Sequence, residues 1–291
     1  MTAQTSETEA SPEVTGAYTF DPFSRHQFYT EINRSLVEHA VQLICDAHTS
    51  DERVRIVELA SGTGAVTELM LDALAARGRT AEVVGVEPSP AAIQKAEQRL
   101  AGRPVSFVRG DAADLQSAIG EADAVFFCNA IHLVPDKDAA VANIVRVLRP
   151  RGFFATNSSF YTGAYAAGSE RFYHLWTRRA LGWLRQHHPD VRLNKNGKTT
   201  AMQWLTPEEY VALFERQGLR LAFEQVETAQ MPLRAWQDIG RYSLFIEGAL
   251  PGVPVPIGAD ALEASAAQAF EELGITAVPR NWLQMVAQRE E

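Results

Sequence analysis

The run Ile56-Val57-Glu58-Leu59-Ala60-Ser61-Gly62-Thr63-Gly64 passes from a buried strand into a tight glycine turn, and a helical pattern begins directly behind it. A strand that ends in glycines and feeds a helix is the ligand site of a doubly wound sheet. Glycine lets the backbone approach a ligand closely, and such sheets bind ligands at the carboxyl ends of their strands. The surrounding text keeps the same rhythm. A helix over about 29–47 precedes it, and short apolar strands follow at Ala81–Glu87, Val105–Val108, Asp123–Asn129 and Phe153–Asn157. Helices running to about Ala76 and over Pro90–Leu100 and Lys137–Leu148 separate them. Strands of this kind are buried on both faces, which predicts a parallel sheet between two helical layers.

Beyond residue 160 the period lengthens. Phe172, Trp176, Ala180 and Leu184 mark one face of a long helix, and Thr206-Pro207-Glu208-Glu209 is a capped start for a helix to Gly218. A strand over Leu219–Glu227, helices near Ala235–Leu250 and Ala259–Leu273, and a last strand over Trp282–Gln288 complete the pattern. The expected fold is α/β: a doubly wound, mostly parallel seven-stranded sheet with helical cap insertions. The expected division is a disordered tail at 1–17, an N-terminal helical lid at 18–50 and a cofactor-binding Rossmann-like core at 51–160. Helical inserts at 161–205 and 232–280 would form a substrate cap, with a core helix and strand at 206–231 and the last core strand at 281–291.

Composition removes several classes of function. A net charge of −9 over 291 residues repels phosphate backbones, so no nucleic acid partner is expected. No stretch approaches the roughly 20 apolar residues of a membrane span, so no membrane partner is expected either. Cys45 and Cys128 sit in apolar segments and supply neither a disulfide framework nor zinc-ligand spacing. The expected setting is the cytoplasm, with no metal, and a homodimer is compatible with the sequence.

Two cofactor classes compete for the glycine turn. A dinucleotide site would read G-x-G-x-x-G, whereas here Gly62-Thr63-Gly64-Ala65-Val66-Thr67 lacks the third glycine. Glu58 also places a carboxylate where a pyrophosphate would be unwelcome and the ammonium of an amino-acid-like ligand would be favoured. Glu87 closes the next strand about 20 residues on, where a carboxylate can accept both hydroxyls of a ribose.

The ordered set resembles the class I S-adenosylmethionine-dependent methyltransferases. Glu58 to Gly64 looks like their first motif, with Ala60 where the family often has its first glycine. The run Asn129-Ala130-Ile131-His132 is similar to their fourth-strand segment, and Leu148-Arg149-Pro150-Arg151-Gly152 to the turn before the fifth strand. The resemblance implies S-adenosyl-L-methionine as cofactor, held by Glu58, Ala60, Gly62, Gly64, Glu87, Pro88, Asp111, Ala112 and Asn129, with Asp111 on the adenine amino group. It also implies an enzyme. Asn129–His132 is not the N-P-P-aromatic box of base methyltransferases. Glu87 and Asp111 could equally cap the helices behind them, since carboxylates favour helix N-termini.

Aromatic residues fill the added segments, and Tyr18, Tyr29, Tyr161, Tyr173, Trp176 and Trp204 are the expected substrate-binding residues. They suggest a small, apolar or aromatic metabolite, with O-methylation favoured. His132 and His26 are the candidate catalytic bases, because an oxygen nucleophile must lose a proton and histidine titrates near neutrality. Each could instead order its loop. The alternatives are C- or N-methylation, a protein using the bound sulfonium for another reaction, and an NAD-dependent oxidoreductase.

Overall fold

Strand β1 (Val54–Leu59) is buried from Ile56 onward, a state a strand sustains only at the centre of a sheet covered on both faces. The computed structural model describes residues 18–47, 53–112, 115, 119–194 and 204–290; the tail expected at 1–17 lies outside the described residues. Strands β2 (Ala81–Glu87) and β3 (Val105–Arg109) extend the sheet to one side. On the other side lie β4 (Ala122–Cys128), β5 (Leu148–Ser158), β6 (Leu219–Pro232) and β7 (Ala277–Arg289). The order is β3-β2-β1-β4-β5-β7-β6. Pairing is parallel from β3 through β5, and β7 runs antiparallel to both β5 and β6. The chain builds outward from β1 to β3 and then returns to β4 on the opposite side of β1. That reversal opens a crevice beyond the carboxyl ends of β1 and β4, where such sheets bind ligands.

Helix α1 is a single turn (Asp21–Ser24), followed by α2 (Gln27–Ala47) and α3 (Ala65–Ala76). Helices α2 and α3 share one apolar cluster with β1 and β4, through Leu36, Val41, Met70, Ile56 and Phe126. Helix α4 (Pro90–Arg99) starts where Ser89 Oγ accepts from the Ala92 N–H. Helix α5 (Lys137–Val147) starts likewise on Asp136, and α7 (Pro207–Arg216) carries the complete capping box of Thr206 and Glu209. Helices α5 and α7 cover the opposite face, through Val141, Ile144, Leu213 and Phe214.

A third apolar core lies away from the sheet's centre. It joins α6 (Glu170–His187), α8 (Leu233–Gly240), α9 (Ser243–Ala249) and α10 (Val255–Leu273) to the N-terminal aromatics and the far end of the antiparallel β6–β7 pair. The single helix expected near Ala235–Leu250 is therefore two. The break falls at Arg241-Tyr242, where Tyr242 turns extended and the Ser243 N–H donates to the Tyr18 carbonyl instead of continuing the helix. The β6–β7 pair is also longer than its hydrophobic signal, with Pro232 pairing with Ala277.

Three asparagines pin α2 to the sheet. Asn33, fully buried on α2, accepts from Asn129 Nδ2 at 3.2 Å and from Asn157 Nδ2 at 3.0 Å, and its own amide donates to the Tyr29 carbonyl at 2.7 Å. Asn129 has left-handed backbone, φ 55, and its N–H donates to Asn157 Oδ1 at 3.0 Å. Its side chain also donates to Tyr29 Oη at 3.1 Å and accepts from Trp282 Nε1 at 2.8 Å. A buried polar group without a partner costs about 1–3 kcal/mol. Asn33→Leu, which removes the shared acceptor and one buried donor, is expected to destabilise the fold by about 2–4 kcal/mol. Urea unfolding with an unchanged m-value would measure it.

Candidate active site

The glycine turn is built from left-handed backbone: Ala60, Gly62 and Gly64 have φ of 52, 54 and 78. Ala60 adopts this without being glycine. Two bonds close the turn, Ser61 N–H to the Val86 carbonyl at 3.2 Å and Gly64 N–H to the Ser61 carbonyl at 3.0 Å. A Cβ on Gly64 would stand 2.9 Å from Leu100 Cδ1, whereas one on Gly62 would meet nothing within 4 Å. The turn is thus packed tightly on its helix side and open above Gly62.

Glu87 ends β2 beside that opening. Its Oε2 accepts the Gly62 N–H at 2.9 Å and its Oε1 accepts the Ser89 N–H at 3.0 Å, which fixes the carboxylate at the rim. Exposed Pro88 follows it. Asp111 is exposed just past the end of β3, and the carbonyl of buried Ala112 accepts from Asn143 Nδ2. Asn129 stands at the end of β4, its side-chain amide engaged by Tyr29, Asn33 and Trp282. Glu58 lies deeper. It is 2% exposed and accepts a short hydrogen bond from Thr67 on α3. Burial pushes its carboxyl up to about 8 and the nearby Glu87 adds to this, while the Thr67 bond opposes it.

The N-terminal segment closes over the same turn. Asp21 Oδ1 accepts from Thr63 Oγ1 at 3.3 Å, and its Oδ2 pairs with Lys95 at 3.2 Å and Arg25 at 2.6 Å. Burial opposes ionisation of Asp21, but the two cations outweigh it and hold the carboxyl below its usual range. Farther along, His26 Nε2 bonds Asp238 Oδ2 on α8 at 2.9 Å and stacks on Phe28. Arg234 takes the other Asp238 oxygen at 2.9 Å.

His132 follows β4 in a 3₁₀ turn (Ile131–Leu133) and borders a cavity of about 230 Å³. Phe160 stacks on its ring at a centroid separation of 4.3 Å, and Ser158 Oγ lies 3.2 Å from Nδ1. Of the expected substrate residues, Tyr173, Trp176 and Trp204 line this cavity. Tyr18 packs under Arg241, Tyr29 is buried against Asn129, and Tyr161 is buried in the core beneath the sheet; these three and His26 do not line it. Arg280 lines it and escaped the sequence reading, because β7 starts five residues before the strand expected from Trp282. The alternation of buried Val278, Arg280 and Trp282 is the signal that could have placed it.

Burial lowers His132 to about 3, and Lys137 and Arg280 reinforce the effect. The folded protein therefore refuses a proton that the unfolded chain takes up near 6.5. Stability from this site is present above pH 6.5 and is lost as pH falls toward 3. His132→Gln is expected to flatten the acid limb of wild-type stability across that window, an effect on the order of a few kcal/mol. Thermal midpoints of both proteins between pH 4 and 7 would read it.

The profile of a family described as a methyltransferase domain matches residues 57–156, from β1 into β5. Polyketide synthase ThaQ of Burkholderia thailandensis is 29% identical over 182 residues, 59% of this chain and 8% of the synthase. Phthiotriol/phenolphthiotriol dimycocerosates methyltransferase of Mycobacterium leprae is 34% identical over 101 residues, 35% of this chain and 36% of that enzyme. The chain thus spans only a small part of the length of these relatives. Among solved structures, a SAM-dependent methyltransferase from Geobacter sulfurreducens, in complex with S-adenosyl-L-homocysteine, superposes with a TM-score of 0.55 at 16% identity, covering 96% of this chain and 98% of that one. Residues 57–156 thus match a methyltransferase domain, and the sheet around them has the fold of a SAM-dependent methyltransferase of known structure.

Proposed function

We propose that the chain transfers the methyl group of S-adenosyl-L-methionine to a small apolar or aromatic acceptor bound in the cavity beside His132, with oxygen the favoured acceptor atom. The observation that carries this reading is adjacency. Asn129 at the crevice rim and His132 at the cavity wall are three residues apart on one turn at the end of β4. A donor in the crevice and an acceptor in the cavity would therefore meet across that turn.

The residues at the crevice suit the cofactor. The open space over Gly62 admits it, and the Glu87 carboxylate, held by two backbone N–H groups, can accept its ribose hydroxyls. Asp111 and Ala112 flank the position of the adenine, and Glu58 lies below the amino-acid end. The bound cofactor supplies an electrophilic sulfonium methyl; this chain contributes alignment and exclusion of water. Tyr173, Trp176 and Trp204 wall the acceptor site with aromatic surface. His132 is neutral at physiological pH and holds the acceptor at its imidazole edge. His26, tied to Asp238, fastens the lid instead of meeting the acceptor. We assign 18–50 to the lid, 161–205 and 232–280 to the cap, and 51–160, 206–231 and 281–291 to the core. Two free thiols, both at least partly buried, fit a cytoplasmic setting.

Calorimetry tests the cofactor half. S-adenosyl-L-homocysteine is expected to bind in the micromolar range, Glu87→Ala to weaken it by about 1.5–3 kcal/mol, and NAD to leave the protein untouched. Unchanged affinity in a folded Glu87→Ala protein would remove the ribose assignment.

Single-turnover methyl transfer tests the histidines. His132→Ala is expected to slow the chemical step by about 100-fold, within the span of a proton-handling or aligning group. His26→Ala is expected to slow it less than tenfold and to lower the thermal midpoint. The reverse ranking would move the base into the lid.

A further inference from the structure

Arg280 is the anomaly of the cavity. Its side chain rises from β7 and is 4% exposed, yet no ion pair among the described residues includes it. Its Nη1 donates to Tyr173 Oη at 2.9 Å and its Nη2 to the Ser159 carbonyl at 2.5 Å. Five N–H donors belong to a guanidinium, and these are its two hydrogen bonds. The rings of Phe160 and Trp204 lie 5.0 and 5.9 Å from its central carbon. Such rings attract a desolvated cation, but burying an unpaired ion costs more than they return. Among the described residues, no Asp or Glu lines the cavity to make up the difference. The two charges that act on His132, Arg280 and Lys137, are both positive. In a chain of net charge −9, Arg280 puts a positive charge inside an aromatic box.

We propose that Arg280 is the anion anchor of this cavity and that the acceptor is a flat apolar or aromatic acid, bound through its carboxylate. A guanidinium presents a planar fork that matches the two oxygens of a carboxylate, and the aromatic walls match a flat body. A cavity of about 230 Å³ falls below the usual range for drug-sized ligands, which suits a compact acid or the acidic end of a longer one. The inference rests on the reading of this cavity as the acceptor site.

The test is a matched set of probes, benzoate, benzamide and benzylammonium, titrated into the full chain by calorimetry, with and without saturating S-adenosyl-L-homocysteine. Benzoate is expected to bind at least about tenfold more tightly than benzamide, and benzylammonium more weakly than either. In Arg280→Met the preference for the acid is expected to vanish, while Arg280→Lys keeps part of it. Equal affinity for benzoate and benzamide in the wild type overturns the proposal, as does a preference that survives in Arg280→Met. Should Arg280→Met fail to fold, the wild-type pair together with Arg280→Lys decides. Acid preference in a protein that binds no S-adenosyl-L-homocysteine leaves the anion site standing and removes the methyltransferase reading. Cofactor binding without acid preference does the opposite.

Discussion

The site depends on the hydrogen bonds that Asn33 shares with Asn129 and Asn157. Each amide is buried or half-buried, and each finds its partner on a different element: α2, the end of β4, and β5. A network of this kind tolerates one arrangement, because any shift of α2 along the sheet would strand a buried donor. The left-handed conformation of Asn129 is held from both sides, by its N–H on Asn157 and by the Trp282 indole on its side-chain oxygen. Asn129 stands between the crevice and the cavity, so the amides that fix the N-terminal helix also fix the distance between the two.

The sheet was legible in the sequence because its signal is dense. Parallel strands buried on both faces read as unbroken apolar runs, and β1 and β2 begin and end where those runs do. The glycine turn and the acid after β2 were equally plain, since a backbone turn and a strand-end position are fixed by local spacing. The cap was less legible. The β6–β7 pair outruns its hydrophobic alternation, and the α8–α9 break is made by a backbone bond from Ser243 to Tyr18, far away in sequence. The same limit applies to the aromatics. Composition placed Tyr18, Tyr29 and Tyr161 among possible ligands, but which rings face a cavity and which fill a core is decided by packing among elements. Arg280 shows this most clearly. Its environment is assembled from α6, β7 and the segments after β5, and no local spacing reports that.

Desolvation sets the electrostatics of both binding regions, with opposite outcomes. Below the crevice it keeps Glu58 protonated near neutrality, so an acid there carries little charge until a cation approaches. At the cavity it keeps His132 neutral, and the positive neighbours reinforce the effect. At the rim, Asp21 stays charged, because its carboxylate accepts from Thr63 and pairs with Lys95 and Arg25.

The clasp between His26 and Asp238 joins residues 212 apart in sequence, and the Asp21 carboxylate reaches Lys95, 74 residues away. Loop closure over such spans is entropically expensive and contributes nothing until the pieces being joined already exist. The strand pairs β1–β2, β2–β3 and β4–β5 join residues fewer than 30 apart and can organise first. Contacts of that span can form only once the sheet they close on exists. A sheet that forms without the clasp can stay folded when the clasp opens, so the crevice can be uncovered without unfolding the core.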